Sequence, residues 1–146
     1  MWQSYKPLVT IYIILPPFVN SSLLENSYFA VLYPFTSYVK LQQAYVAEAN
    51  EYGSWKLIGY TAPNGGSTNN FEYTATALTS DDASSKDGED NVWEAANKAK
   101  LNDCEAGKNW TISTNTIGSN GQDTYKAEVN GTGCQALTAT FGKIGQ

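Results

Sequence analysis

Charge is distributed unevenly along this chain of 146 residues. The first 47 residues carry only Lys6, Glu25 and Lys40, whereas the rest of the chain carries seven lysines and thirteen acidic residues. Folded domains normally place charged side chains over their whole surface, so a long segment almost without charge must be buried against something. We therefore expect an apolar segment that protrudes over residues 1–37 and a globular head over residues 38–146.

The composition excludes most classes of enzyme. The chain has no histidine, and all nine of its basic residues are lysines. Catalysis by a Ser-His-Asp or Cys-His arrangement is therefore excluded, as is bidentate recognition of phosphate by arginine. A net charge of −5 repels a nucleic-acid backbone. Fourteen acidic residues supply many carboxylate pairs for glycoside hydrolysis, but no pair stands out. We expect a protein that is not an enzyme, needs no cofactor and binds no nucleic acid.

An apolar run over residues 8–15 (LVTIYIIL) dominates the N-terminal segment. Eight residues are too few to cross a bilayer, which takes about 20 apolar residues in a helix. Pro16 and Pro17 follow the run. Each lacks the backbone N–H group that a helix uses, and its ring disturbs the preceding turn, so both residues interrupt a helix. We expect a helix break at this pair. An ordinary buried strand or helix of a globular core is the alternative interpretation of the run.

Residues 38–52 show the clearest helical pattern. Tyr38, Leu41 and Tyr45 recur at helical spacing, and Gly53 supplies a stop. Further along the chain, alternating apolar and polar residues predict an antiparallel sheet. The predicted strands cover residues 55–62, 71–79 and 93–101, a hairpin of residues 110–113 with 125–129, and a closing strand over residues 136–144, with an acidic loop over residues 80–91.

Cys104 and Cys134 are the only cysteines, and they lie 30 positions apart. They are either two buried free thiols or one disulfide. Their polar surroundings, LNDCEAGK and GTGCQAL, favour the disulfide. Closing this loop stabilises a fold by about 3–4 kcal/mol in the chain-entropy model. A disulfide also predicts a periplasmic or extracellular location.

Two further groups of residues offer binding chemistry. Asp81, Asp82 and Asp87 in the acidic loop are weak candidates for the oxygen ligands that Ca²⁺ prefers, because their spacing does not match an EF-hand. A solvated acidic loop is the favoured interpretation. We therefore assign no metal site. Trp55, Trp93 and Trp110 form either an aromatic platform for a sugar or part of the core between sheet and helix.

Three blocks of the sequence resemble bacterial type IV pilins. Residues 38–63 (YVKLQQAYVAEANEYGSWKLIGYTAP) are similar to the end of the pilin spine helix and the first head segment. Residues 101–104 (LNDC) are similar to the approach to the first cysteine, and residues 134–145 (CQALTATFGKIG) to the C-terminal strand. The N-terminal segment departs from the family pattern at Tyr5, where pilins carry a glutamate. The proline pair falls about where the pilin spine has its helix-loosening proline.

The resemblance implies an α+β fold, in which a long N-terminal spine helix, interrupted near Pro16 and Pro17, packs on an antiparallel β-sheet head. It also implies a structural subunit of an extracellular type IV pilus, a helical filament of identical copies on the cell surface, with storage in the inner membrane before assembly. The assembly residues are then Leu8, Val9, Ile11, Ile13, Ile14, Leu15 and Phe18. Two alternatives are a secreted carbohydrate-binding or adhesin β-module and a type II secretion pseudopilin.

Overall fold

A computed structural model describes residues 28–144, and these residues begin in a helix. A π-helical turn, Tyr28–Leu32, leads into helix α1, Tyr33–Ala49. Helix α1 starts five residues earlier than predicted, with Pro34 in its first turn, where the fixed φ of proline suits a helix. It ends at Asn50, which takes a left-handed conformation (φ 56°) and donates its N–H to the carbonyl of Val46 at 2.8 Å. The predicted stop at Gly53 is therefore wrong.

The segment after α1 contains a short strand and a short helix. Strand β1, Tyr52–Gly53, is followed by helix α2, Trp55–Ile58, where the sequence predicted a strand over residues 55–62. The Ser54 hydroxyl caps α2 by accepting a hydrogen bond from the N–H of Leu57 at 3.2 Å. Gly59 ends the helix with a φ of 72°. These two caps outweigh the alternating pattern that indicated a strand. A 3₁₀ turn, Pro63–Gly66, follows.

The remaining strands pair in antiparallel fashion, and four of them form the predicted antiparallel sheet. They are β2 (Phe71–Thr74), β3 (Ser84–Ser85), β4 (Trp93–Asn97), β5 (Gly107–Thr114) and β6 (Tyr125–Val129). The four-stranded sheet has the order β2-β4-β5-β6, and β1 pairs separately with β3. The predicted hairpin is confirmed, with Ile112 of β5 opposite Ala127 of β6. The pairing of β4 with β5 skips Asn109, because Ala95 lies opposite Trp110 and Ala96 lies opposite Lys108, so β5 carries a β-bulge at this point.

The C-terminal segment is helical rather than extended. The sequence predicted a closing strand over residues 136–144, but this region contains helix α3, Thr132–Leu137, and a 3₁₀ turn, Phe141–Lys143. Phe141 is fully buried, with its ring centroid 4.7 Å from that of Phe35 and 6.3 Å from that of Trp93. This long-range packing, and not the alternation of apolar and polar residues, determines the helical conformation of the segment.

The core lies between helix α1 and one face of the sheet. Phe35 of α1 contacts Trp93 of β4 with ring centroids 6.1 Å apart. Val31 and Phe35 are fully buried, so packing against the head begins seven residues before the expected boundary at residue 38. The α+β class with an antiparallel sheet is confirmed. Residues 1–27 of the spine segment expected over residues 1–37, including the helix break at Pro16 and Pro17, lie outside the described residues.

Candidate assembly surface

Two aromatic side chains of the helical segment face solvent at the end where the N-terminal segment enters it. Phe29 exposes 64% of its surface and Tyr33 exposes 66%. They are four residues apart and therefore lie on one side of the helix, opposite the buried Val31 and Phe35. Adjacent exposed aromatic residues commonly mark an interaction surface, because their apolar area gains free energy when it is covered.

The exposed side of α1 continues this surface with one lysine and two small residues. Lys40, Ala44 and Ala47 are exposed and fall on the same side of the helix as Tyr33. From Tyr33 to Ala47 this side is about 21 Å long at 1.5 Å per residue. Small side chains let a second helix approach closely. We call this set of residues, from Phe29 to Ala47, the exposed helix face.

A hydrogen bond from the sheet holds the start of the helical segment. Pro34 has no N–H group to donate to the carbonyl of Ala30, four residues earlier. The hydroxyl of Tyr73, on strand β2, donates to that carbonyl at 2.5 Å instead. Burial, with a smaller effect from nearby Tyr60, raises the pKa of Tyr73 to about 12, so the hydroxyl keeps its proton at neutral pH. Strand β2 thus fixes the turn that carries Phe29 and Tyr33.

Gln42 fixes the other half of α1. Its side chain is fully buried, and its amide oxygen accepts the N–H of Gly53 at 2.8 Å while its amide nitrogen donates to the Gly53 carbonyl at 2.9 Å. The amide nitrogen also donates to the hydroxyl of Tyr38 at 2.9 Å. A Cβ atom on Gly53 would lie 2.9 Å from a ring carbon of Tyr45, so the close approach of strand and helix requires glycine.

The predicted disulfide is confirmed, since Cys104 and Cys134 are bonded to each other. Asn97, at the end of β4, positions the turn that carries Cys104. Its buried amide nitrogen donates to the carbonyls of Ala99 at 3.0 Å and Glu105 at 3.1 Å, and its amide oxygen accepts from Asn109 at 2.6 Å. The disulfide therefore ties the turn between β4 and β5 to the start of α3.

The three candidate acidic residues of the loop do not converge on a metal site. Asp81 pairs with the ammonium group of Lys56 at 2.6 Å, and both side chains are exposed. The backbone carbonyl of Asp87 accepts from the hydroxyl of Ser85, at 3.4 Å, and Asp82 is exposed. Within residues 28–144 there is no group of three or more His, Cys, Asp or Glu side chains placed to hold a metal ion.

The three tryptophans do not form a common platform. Trp93 and Trp110 are fully buried, and their indole N–H groups donate to the hydroxyls of Tyr60 at 2.9 Å and of Thr138 at 2.7 Å. Trp55 is half-buried. Trp93 and Trp110 belong to the core, where Trp93 packs against helix α1. The interpretation of these three tryptophans as one sugar-binding platform is therefore wrong.

Sequence analysis did not identify Tyr73, Gln42 or the exposed aromatic pair. The signal for Tyr73 is indirect. Pro34 predicts that the carbonyl of Ala30 lacks a backbone donor, but it does not predict which group donates to that carbonyl instead. Gln42 gives no signal in the sequence, because amide side chains are seldom fully buried. The assembly residues Leu8, Val9, Ile11, Ile13, Ile14, Leu15 and Phe18 lie outside the described residues.

Comparison with protein-family models, with curated proteins and with solved structures found no match to this chain. No helix within residues 28–144 is both long enough and apolar enough to cross a membrane. The functional argument therefore depends on the geometry of the exposed helix face and on the sequence that precedes it.

Proposed function

We propose that this chain is the structural subunit of an extracellular type IV pilus, a helical filament that assembles through its N-terminal segment. The observation that carries the proposal is the exposure of Phe29 and Tyr33 at the junction between the head and the apolar segment. In the sequence this aromatic pair follows the apolar segment, whose longest apolar run covers residues 8–15. In this proposal the chain has no catalytic role and needs no cofactor.

Burial of apolar area drives the proposed assembly. The side of α1 that faces the sheet is already covered by the core, so it has no room for a second apolar segment. The run over residues 8–15 and Phe18 are then covered by the same segments of neighbouring copies. Each Å² of apolar area removed from water contributes about 25 cal/mol. Contacts between different patches of identical subunits repeat without closing and generate a filament.

The proposed spine is one long helix with an interruption near Pro16 and Pro17, joined to α1 through the π-helical turn Tyr28–Leu32. Thirteen acidic residues and seven lysines beyond residue 47 give the head region a net charge of −6. Such heads repel one another and favour the outer surface of a filament, where water and salt screen them. The apolar segments then occupy the centre. The same segments suit storage in the inner membrane before assembly.

Negative-stain microscopy and sedimentation of the full chain, after removal of solubilising detergent, test the proposal. We expect long filaments that pellet. Changing Phe29→Glu together with Tyr33→Glu should abolish them while the head stays folded, because both side chains are exposed. Gln43→Glu, on an exposed position of the same helix, is the matched control and should leave filaments intact.

Other results would contradict the proposal in distinguishable ways. A wild-type chain that stays monomeric would favour a secreted binding module. Short rods of a few subunits would favour a secretion-system pseudopilin. Filaments unchanged in the double variant would show that the exposed aromatic pair takes no part in assembly.

A further inference from the structure

An open groove lies between helix α2 and the loop that follows strand β2. Its volume is about 650 Å³, within the range of roughly 300–1,000 Å³ that is typical of clefts for small ligands. Its lining residues include the aromatic residues Trp55 and Tyr60 and the hydroxyl-bearing residues Thr61, Thr74 and Thr79. The groove is separate from the exposed aromatic pair, so a ligand there would leave the proposed assembly residues free.

Trp55 is held in a fixed orientation beside this groove. Its indole N–H donates to the carbonyl of Val92 at 3.0 Å. Its ring meets that of Tyr60 edge-on, with centroids 5.0 Å apart and planes at 84°. Trp93 and Trp110 are fully buried, whereas Trp55 keeps part of its surface in solvent. A ring that is fixed before a ligand arrives loses little conformational entropy when the ligand stacks on it.

The backbone of the groove is strained at Leu78. This residue has a φ of 53°, in the left-handed region that a branched side chain rarely occupies. Leu78 also lines the groove. Strained residues of this kind occur preferentially at ligand sites, where the surrounding structure holds them in place. The strain is therefore a second observation, independent of Trp55, that points to the same groove.

The charges of the groove select the class of ligand. The ammonium group of Lys56 and the carboxylate of Asp81 are paired at 2.6 Å, so the groove carries one positive and one negative charge. The hydroxyl of Ser54 donates to the backbone carbonyl of Asp81 at 2.7 Å and fixes that residue next to α2. A balanced pair favours neither an anion nor a cation. It supplies a hydrogen-bond donor and an acceptor to a neutral ligand that is rich in hydroxyl groups.

We propose that this groove binds a neutral saccharide. The apolar face of a sugar ring stacks on Trp55, and its hydroxyls exchange hydrogen bonds with Asp81, Lys56 and Thr79. This site differs from a platform of three tryptophans because only Trp55 takes part.

Saturation-transfer NMR on the full chain with uncharged disaccharides (lactose, maltose, cellobiose and diacetylchitobiose) tests this site. We expect transfer to at least one of them. Trp55→Ala should weaken its binding about tenfold, the loss expected for one stacked aromatic ring. Asp81→Asn, which keeps the shape of an exposed side chain, should weaken it several-fold. Leu57→Ala is the matched control on α2, since Leu57 is exposed but does not line the groove.

Three results would overturn the saccharide site. One is the absence of transfer to every disaccharide of the panel. A second is equal binding by the wild-type chain and the Trp55→Ala variant. A third is equal binding by the wild-type chain and the Asp81→Asn variant, which decides the question if Trp55→Ala fails to fold. Filament formation by these variants is measured separately, so failure of the sugar site and failure of the filament proposal are distinguishable.

Discussion

The hydroxyl of Tyr73 donates a 2.5 Å hydrogen bond to the carbonyl oxygen of Ala30, which lies four residues before Pro34. Proline at position 34 removes the backbone donor that a regular helix would offer to this oxygen. The sheet supplies the missing donor from a side chain that is 43 positions away in sequence. Strand β2 therefore fixes the π-helical turn Tyr28–Leu32, which contains Ala30.

The Tyr73→Phe change tests this relationship. It removes the donor and leaves a carbonyl without a partner, so we expect a loss of about 1–2 kcal/mol in the free energy of unfolding, measured by urea denaturation. The same change in a Pro34→Ala background should cost less, because the substituted residue brings its own N–H group. Tyr33→Phe, at an exposed position, is the control and should be neutral. If Tyr73→Phe lowers the free energy of unfolding equally in both backgrounds, Tyr73 does not replace the donor that Pro34 lacks.

Gln42 and Gln43 are neighbours with opposite roles. Gln42→Leu leaves the buried N–H and carbonyl of Gly53 without partners, so it should lower the free energy of unfolding by roughly 3 kcal/mol. Gln43→Leu adds the same side chain at an exposed position and should change it by no more than about 0.5 kcal/mol. Chemical denaturation of both variants measures the difference. Similar effects at the two positions would show that the amide of Gln42 does not hold strand β1.

The disulfide should contribute strongly to the stability of the head. Replacing both Cys104 and Cys134 by serine opens a loop with a sequence separation of 30, which should cost about 3–4 kcal/mol. Treating the wild-type chain with a thiol reductant should reproduce this loss. A denaturation midpoint that does not change on reduction would contradict the prediction.

Buried tyrosines make the head sensitive to high pH. Burial raises the pKa of Tyr60 from 10.0 to about 12, and the pKa of Tyr73 also rises to about 12. The folded chain holds these protons more tightly than the unfolded chain, so this stabilisation is fully present below pH 10.0 and is lost as the pH rises towards about 12. Tyr60 alone should account for a loss on the order of 2 kcal/mol.

Denaturation at a series of alkaline pH values measures this loss. Tyr60→Phe removes one titrating group, so its stability should be lower at neutral pH, where the indole of Trp93 loses its acceptor, but should fall less steeply with pH. Identical pH slopes for the variant and the wild-type chain would show that Tyr60 does not contribute.

Local patterns predicted the elements that local forces determine. The helical spacing near Tyr38 and Tyr45 indicated α1, and the alternation over residues 110–113 and 125–129 indicated the β5–β6 hairpin. The polar surroundings of the cysteines indicated their pairing. Each of these signals arises within a few residues of the element it describes.

The errors have physical causes that the alternation of apolar and polar residues does not contain. Helix α2 depends on the Ser54 cap, and the C-terminal helical segment depends on Phe141 packing against Phe35 and Trp93. The bond from Tyr73 to Ala30 joins positions that only the complete fold brings together. The groove beside Trp55 likewise arises from a helix, a strand end and a loop.

A helical reconstruction of the assembled protein by electron cryomicroscopy, at side-chain resolution, tests the account most directly. We predict that residues 8–24 lie at the filament centre, and that neighbouring subunits bury Phe29 and Tyr33, which are mostly exposed in the single chain. The acidic loop over residues 80–91 should face outward. An assembly in which Tyr33 faces solvent, or in which residues 8–15 pack against the head of their own chain, would contradict the proposed filament.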